Sequence, residues 1–431
     1  MLYSLAILLL TDLISPSSQA AGRTERQGRQ LPLIECLRNA SVAVVTPADS
    51  ELYETERVVL NKAVSDSTGG YSSCGGLLVD VEGLRQFEVV KRDNETLDVT
   101  VGPGVRQGYV YYHLWFDHKA WFNGGSEHSV GMGGITPGGG RGHRGRKYGL
   151  LCDTLTRLEM VTYDGSILQV TNSSESDLFW ASCGGGGGQF GIITQISFTA
   201  FYVPSPTVVH LNFRYDIDQF VPLFEWYQEY ATFKAPRDFF TKLIWLPLFG
   251  GIALDGEFIG TEEQLRDELK RSGLFQAAGE PACQQVVVYD PIQSILDSAL
   301  LPVDDPESLI EAPSPSRFEK LSALADLSPT ATAFPHRNVT FLVQSGISSE
   351  DTAAGNTNKK PVLAWQRDVH RVFQTPFSSS GFAYVNYVDR DIEDYLTAYY
   401  RENVARLRRV KKRYDPTIGF AYEQSIPPAD E

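Results

Sequence analysis

Short stretches of this chain alternate apolar and polar residues with a period of two, and longer ones carry apolar residues at helical spacing. Leu77 to Asp80 and Phe87 to Val90 are short apolar runs, and Leu97, Val99 and Val101 alternate before Gly102-Pro-Gly104. These read as strands, and Val105 to Phe116 reads as an amphipathic helix. Upstream, Asp49 to Val64 is predicted helical. Leu158 to Thr162 and Ile167 to Val170 flank Asp164-Gly165, a dipeptide suited to a tight hairpin turn. Ile192, Thr194, Ile196 and Phe198 then alternate as a strand leading into Pro204-Ser-Pro206, a predicted boundary.

Beyond that boundary the pattern predicts an aromatic-rich helix over Asp216 to Lys234 and two strands within Phe240 to Gly260. Thr261-Glu-Glu-Gln264 has the form of a capping box that opens another helix. Residues 302–316 and 346–360, rich in Pro, Ser, Asp and Gly, read as loops. Near the end, Leu396, Tyr399, Tyr400, Val404, Leu407, Val410 and Tyr414 keep helical spacing up to Asp415-Pro416. Arg408 to Arg413 falls in the last turns, where cations on a solvated face complement the helix dipole.

At 431 residues the chain can hold two domains with their own cores. A net charge of −15 argues against nucleic-acid and anionic-membrane partners. Tyr3 to Leu10 is apolar and Ser18-Gln19-Ala20 ends a small-x-small cleavage pattern, so residues 1–20 read as a secretory signal. The sequons at Asn39, Asn94, Asn172 and Asn338 agree with a secreted, extracellular glycoprotein. Five cysteines (Cys36, Cys74, Cys152, Cys183 and Cys283) allow at most two internal disulfides.

Two glycine clusters carry the candidate chemistry. One runs from Val130-Gly131-Met-Gly133-Gly134 through Gly138, Gly139 and Gly140 to Gly142, and the other from Gly184 to Gly188 after Cys183. Without Cβ atoms such loops can press backbone against a flat or phosphorylated ligand and donate N–H groups to it. Ordering them costs backbone entropy, so a large bound cofactor explains them better than packing alone. No phosphate loop, Rossmann fingerprint, zinc spacing or nucleophile elbow is present.

These motifs together resemble the FAD-linked oxidases of the vanillyl-alcohol-oxidase type, with a PCMH-type FAD domain, and among them the berberine-bridge-enzyme-like branch. The resemblance runs over Gly69 to Pro206 and Phe334 to Pro428. It rests on the first glycine cluster, Tyr148-Gly-Leu-Leu-Cys-Asp153, Asp177-Leu-Phe-Trp180, the Cys183 glycine run with Gly191-Ile192, Tyr384-Val-Asn-Tyr-Val-Asp389 and Glu423-Gln-Ser-Ile-Pro427. It implies an α+β fold, with a two-subdomain FAD domain over 31–204 and an antiparallel-sheet substrate domain backed by helices over 205–395. A C-terminal segment, 396–431, would return to the FAD domain. It also implies hydride transfer from an alcohol, sugar or specialised metabolite to flavin, with O2 as the usual reoxidant giving H2O2. Val130, Gly131, Gly133, Gly134, Gly138, Gly139, Gly140, Cys152, Asp153, Gly187, Gly188, Gly191, Ile192 and Asn386 are the implied FAD contacts.

Three departures matter. Relatives carry a strand–helix unit ending in a Gly-Gly-His-Ser-type loop that wraps the FAD pyrophosphate and often bonds the flavin through its histidine. Here Val58 to Val64 runs almost directly into Thr68 to Cys74, and no histidine precedes His113. The cysteine that gives many relatives a second covalent bond falls at Glu127. FAD is therefore expected to be non-covalent. The missing region also implies Cys36 as the odd thiol. The gap leaves two readings open, a gene-model or splice variant of an active enzyme, or a deletion that compromises FAD binding.

Tyr387 and Tyr384 are the implied catalytic residues. Each is either a substrate-facing base, needing a pKa below the usual value of about 10, or a buried tyrosine with a satisfied hydroxyl. Asn386, expected on the opposite strand face, either touches flavin or packs. Arg337 and His336 either stabilise anionic reduced flavin or belong to a structural ion pair. His128 lies beside the expected flavin contact, and Cys152 and Cys183 read as packing or a disulfide before redox catalysis. The competing functions are an FAD oxidase, a dehydrogenase of the same fold, and a flavin-deficient scaffold protein.

Overall fold

Two antiparallel sheets, each packed under helices, organise the computed structural model. It describes residues 43–45, 78–203, 208–246, 251–289, 317–319, 326–339, 342–344, 364, 367, 368, 371, 381–389 and 391–430. The signal, the Asp49–Val64 helix, the Thr68–Cys74 motif, Cys36, Asn39, the Pro204–Pro206 boundary and the two predicted loops lie outside these residues.

A small strand pair, β1 (Ala43–Val45) with β2 (Leu78–Asp80), precedes the first sheet. That sheet comprises β3 (Phe87–Lys91), β4 (Thr96–Val101), β5 (Ala120–Trp121), β6 (Leu155–Val161), β7 (Ile167–Val170) and β8 (Ile192–Tyr202). Its order is β3-β4-β8-β6-β7, with β5 on β8. The period-two pattern decides which face is buried. Val99 lies opposite Phe198 and Val101 opposite Ile196. These residues share one core with Val110, Tyr111 and Leu114 of the helix Gln107–His118, which starts and ends two residues later than predicted. Asp164 organises the β6–β7 turn by accepting from Thr162 Oγ1 (2.7 Å) and the Ser166 amide (3.1 Å).

The second sheet runs β12-β9-β11-β10-β13-β14. Its strands are β9 (Val208–Asp216), β10 (Phe239–Leu246), β11 (Gly251–Ile259), β12 (Cys283–Tyr289), β13 (Arg317–Glu319) and β14 (Leu342–Gln344). Val209, Leu211, Phe213, Ile252, Leu254 and Leu243 form its helix-covered face, against Leu223, Trp226, Leu265 and Leu274. The opposite face carries His210, Asn212, Phe240, Lys242, Asp255 and Glu257, and register sets His210 beside Glu257 and Asn212 beside Asp255. The α+β class and the helix-backed antiparallel sheet match the expectation. The capping box also forms, with Thr261 and Gln264 exchanging side-chain-to-amide hydrogen bonds of 3.3 and 2.9 Å.

Three predicted helical features are corrected. Residue 216 ends β9, and the helix starts at Phe220, turning into a π-helix over Tyr227–Lys234. Arg146, reaching across from the first glycine cluster, donates to the Ala231 and Ala235 carbonyls and so satisfies the widened end. The C-terminal helix is not continuous: Tyr395–Tyr400 and Val404–Tyr414 are separated at Arg401, whose φ is +49°. Buried Asn403 draws the chain inward there by donating to the carbonyls of Pro329 (2.9 Å) and Thr332 (3.1 Å). Finally, Lys411 does not sit on a solvated face; it is fully buried with Asp415 at 2.6 Å.

Candidate functional site

The first glycine cluster is tied to the second sheet by its own polar residues. Gly142 packs so tightly on Gly124 that a Cβ there would lie 2.0 Å from the Gly124 carbonyl oxygen. This fixes the next two residues against the second sheet. His143 stacks on Phe240 with ring centroids 4.7 Å apart, and its Nδ1 lies 2.8 Å from Glu257 Oε1. Arg144 lies 3.5 Å over the Trp121 ring and 3.8 Å from Glu257. Lys147 pairs with Asp238, and Arg146 holds the π-helix end. A cavity opens here, lined by Tyr111, Trp121, Asn123, Gly125, Ser126, His143, Arg144 and Glu257.

Beside it on the same face, Asp255 takes Lys242 at 2.8 Å, His210 at 3.0 Å and Asn212 at 3.0 Å. Burial alone would raise the Asp255 carboxyl, but Lys242 and His210 outweigh it and hold the group ionised. Burial works the same way on Glu257, where the hydrogen bond from His143 and the charge of Arg144 keep it ionised. Burial and Lys242 push the His143 imidazole below its ordinary value, against the pull of Glu257.

The implied FAD contacts fall into three groups. Gly133 packs on Pro103, Gly138 on Asn386, Gly139 on Phe334 and Leu150, Gly140 on Leu151, and Gly191 on Met160. Val130 accepts the Gln107 amide, Gly131 precedes the short helix Met132–Ile135, and Ile192 opens β8 beside Val161. Gly188 turns the chain at φ +66°. Gly134 and Gly187, by contrast, face open space. A methyl at Gly134 would meet nothing within 4 Å, and one at Gly187 would meet only Pro137 at 3.6 Å. Bare backbone with room before it suits a flat ring, so the residues present fit FAD, and these two loops with Asn386 would hold it. Packing nonetheless accounts for more of the glycines than expected.

Cys152 and Cys183 form a buried disulfide. The Asp153 carboxylate receives Arg337 in a two-bond fork at 2.7 and 2.8 Å, and also the Leu150 amide at 2.9 Å. Arg337 is thus a structural ion-pair partner, fully buried, and its charge is committed. Burial pushes the His336 imidazole down to about 4, so it is neutral near pH 7. Neither residue offers a free cation to a reduced flavin.

The Tyr384 motif is a turn, not a strand: the Tyr387 amide donates to the Tyr384 carbonyl at 2.8 Å. Asn386 therefore does not point to an opposite strand face. It donates to the Tyr384 hydroxyl (3.3 Å) and the Gly134 carbonyl (3.4 Å), joining this turn to the open glycine. Burial pushes the Tyr384 phenol above its ordinary value, so it stays protonated. Tyr387 is 42% exposed, and its hydroxyl accepts from Arg141 at 3.3 Å. His128 is buried and lies 3.1 Å from the Glu127 carboxylate. Periodicity had no means of finding Glu257, Asp255 and Lys242. They alternate with apolar residues like any strand positions, and only pairing across β9–β11–β10 brings them together.

The C-terminal segment locks the second cluster. The Tyr400 hydroxyl donates to the Gly185 carbonyl (3.0 Å), and the Ile426 amide donates to Gln189 Oε1 (2.9 Å). Lys411 donates to the Gln189 carbonyl at 2.5 Å. Among the described residues no helix is long and apolar enough to cross a membrane.

Comparison with known proteins agrees with this geometry. Residues 52–171 match the family described as FAD binding domain, and residues 383–427 match berberine and berberine like. The chain is 30% identical to the uncharacterized FAD-linked oxidoreductase YgaK of Bacillus subtilis, over 82% of each chain. Among solved structures it resembles Physcomitrella patens BBE-like 1, with a TM-score of 0.77 and 25% identity over 93% of this chain and all of that one. The Acremonium strictum glucooligosaccharide oxidase shares the fold, with a TM-score of 0.70 and 23% identity over 81% of each.

Proposed function

Since the chain belongs to the FAD-linked oxidoreductases of the berberine-bridge-enzyme-like branch, we propose that it oxidises an alcohol carbon of a sugar or similarly hydroxylated small molecule. The observation that carries the substrate class is the buried polar face of the second sheet. Glu257 of that face lines a small cavity with His143, Arg144, Asn123 and Ser126, polar groups suited to meeting a hydroxyl, and the paired Asn212, Lys242 and Asp255 back it. FAD held by these loops would supply the two-electron acceptor, with O2 as the reoxidant and H2O2 as its product. FAD is held without a covalent bond, a reading supported by Glu127 at the linking position. Anaerobic mixing with glucose, cellobiose and benzyl alcohol tests the reading. The sugars should bleach bound flavin faster than benzyl alcohol, with peroxide appearing on aeration, and no bleaching by either sugar would overturn it.

Tyr387, exposed and oriented by Arg141, donates its hydroxyl to the substrate. Tyr387→Phe should slow flavin reduction roughly tenfold, the worth of one hydrogen bond, and leave the FAD content unchanged. Unaltered reduction kinetics in stopped flow would remove Tyr387 from this role.

The protein is secreted as a glycoprotein. The buried Cys152–Cys183 disulfide supports an oxidising compartment, and Asn94, Asn172 and Asn338 are all exposed, as glycan acceptors must be. Expressed in a eukaryotic secretory host, it should appear in the medium and gain mobility on treatment with peptide N-glycosidase. Retention inside the cell without glycans would contradict secretion.

A further inference from the structure

Oxidising an alcohol requires an acceptor for the hydroxyl proton as well as for the hydride. Tyr384 is poorly suited to serve, since burial pushes its phenol above its ordinary value. Two residues beyond Arg141, His143 has the arrangement such a base needs. Its side chain is only 10% exposed, and its ring is fixed by the stack on Phe240. Nδ1 faces the Glu257 carboxylate at 2.8 Å, and a carboxylate accepts, so Nδ1 carries the proton. Nε2 is then the lone-pair nitrogen. It is buried and has no hydrogen-bond partner in the protein. A buried acceptor left unpaired costs about 1–3 kcal/mol, and the cavity beside Nε2 has room for a single hydroxyl. The cavity that His143 lines is also walled by Ser126, Asn123 and Arg144.

We propose that His143, backed by Glu257, is the base that takes the hydroxyl proton of the substrate; the proposal rests on the alcohol-oxidation reading above. As the O–H bond breaks, its proton goes to Nε2 and its electron pair forms the second C–O bond. The hydrogen on that carbon leaves with the C–H electron pair as hydride to FAD, the two-electron acceptor of this family. Glu257 fixes the tautomer and stabilises the imidazolium that forms.

The pH profile separates this base from a tyrosine. The charged and titratable groups facing His143 are Glu257 and Asp255 on β11, Lys242 on β10, His210 on β9, Arg144 on its own loop and Tyr111 on the Gln107–His118 helix. Burial and Lys242 prevail, so the imidazole stays uncharged near neutrality and protonates only below its ordinary value. Accordingly kcat/KM should be flat near neutrality and fall as the pH drops below that value. A phenol base would instead give a rate still rising toward about pH 10.

The test compares wild type, His143→Gln and Glu257→Gln as FAD-loaded proteins, with flavin content measured for each. With a sugar that bleaches wild type, His143→Gln should lower kcat/KM about 10²–10⁴-fold and lose the acid limb. Glu257→Gln should keep the limb but move it to lower pH, since the carboxylate no longer supports the imidazolium. A 15N spectrum of the imidazoles, independent of turnover, should show one histidine with protonated Nδ1 and bare Nε2 at pH 7, missing from His143→Gln. An acid limb retained in His143→Gln, or Nε2 protonated at pH 7, overturns the proposal alone. Failure of every alcohol and sugar to reduce wild-type flavin overturns the reading beneath it, and the proposal with it.

Discussion

Replacing Lys411 with methionine should destabilise the protein by about 3–5 kcal/mol, the typical result of stripping one partner from a buried ion pair. Lys411 and Asp415 have no side-chain exposure at all, and the ammonium also donates to the Gln189 and Phe420 carbonyls, each at 2.5 Å. Asp415 keeps the Gly419 and Phe420 amides at 2.6 and 2.9 Å, but it would retain its charge with no cation beside it. Burial opposes the charged form of Lys411, and Asp415 is what offsets that cost. The damage should be local as well as global. Gln189 ties the segment to the second glycine cluster through Ile426 and Tyr422, so the C-terminal segment from 396 on should become the first site of proteolysis. Urea denaturation measures the loss. Lys411→Met with Asp415→Asn should recover most of it, because no unpaired charge then remains buried. A single variant as stable as wild type would show that the pair contributes nothing.

Gly184→Ala should be of similar size, on the order of 4 kcal/mol, combining backbone strain with overpacking. Its φ is +110°, a region that residues with a side chain rarely enter. A Cβ there would lie 2.1 Å from the Phe334 amide nitrogen, a backbone atom that cannot swing aside. The same Phe334 amide donates to the Cys183 carbonyl at 2.9 Å, so the clash falls on a hydrogen-bonded junction beside the disulfide. Gly187→Ala, facing open space, should by contrast leave the fold intact and act only through the ligand. The melting temperatures of the two variants give the comparison. Equal losses would mean that the second cluster is uniformly packed and leaves no room for a cofactor.

This contrast marks how far the sequence could be read. The strands of the first sheet were legible because each buries one face, so Leu97, Val99 and Val101 announce their register. The hairpin at Asp164-Gly165 and the cap at Thr261 were legible for the same local reason: the residues that make them are neighbours in the chain. The break at Arg401 was hidden because apolar spacing continues on both sides, and its cause, Asn403 bonding to residues 329 and 332, is remote in sequence. Glycine runs announced a cofactor but not which glycines serve it, since packing against Phe334 or Met160 makes the same demand as a ligand. The family's motif led to Tyr384 and Tyr387. The polar wall of Lys242, Asp255 and Glu257, with His143 against it, is a product of strand pairing and of a glycine-loop contact remote in sequence.

We propose that this chain holds FAD, without a covalent bond, in the cradle between its glycine clusters. The visible spectrum of the purified protein, taken before and after acid precipitation, tests it most directly. Flavin bands that pass wholly into the supernatant are the predicted result. A yellow pellet would contradict non-covalent binding, and a colourless folded protein that takes up no added FAD would contradict the cradle itself.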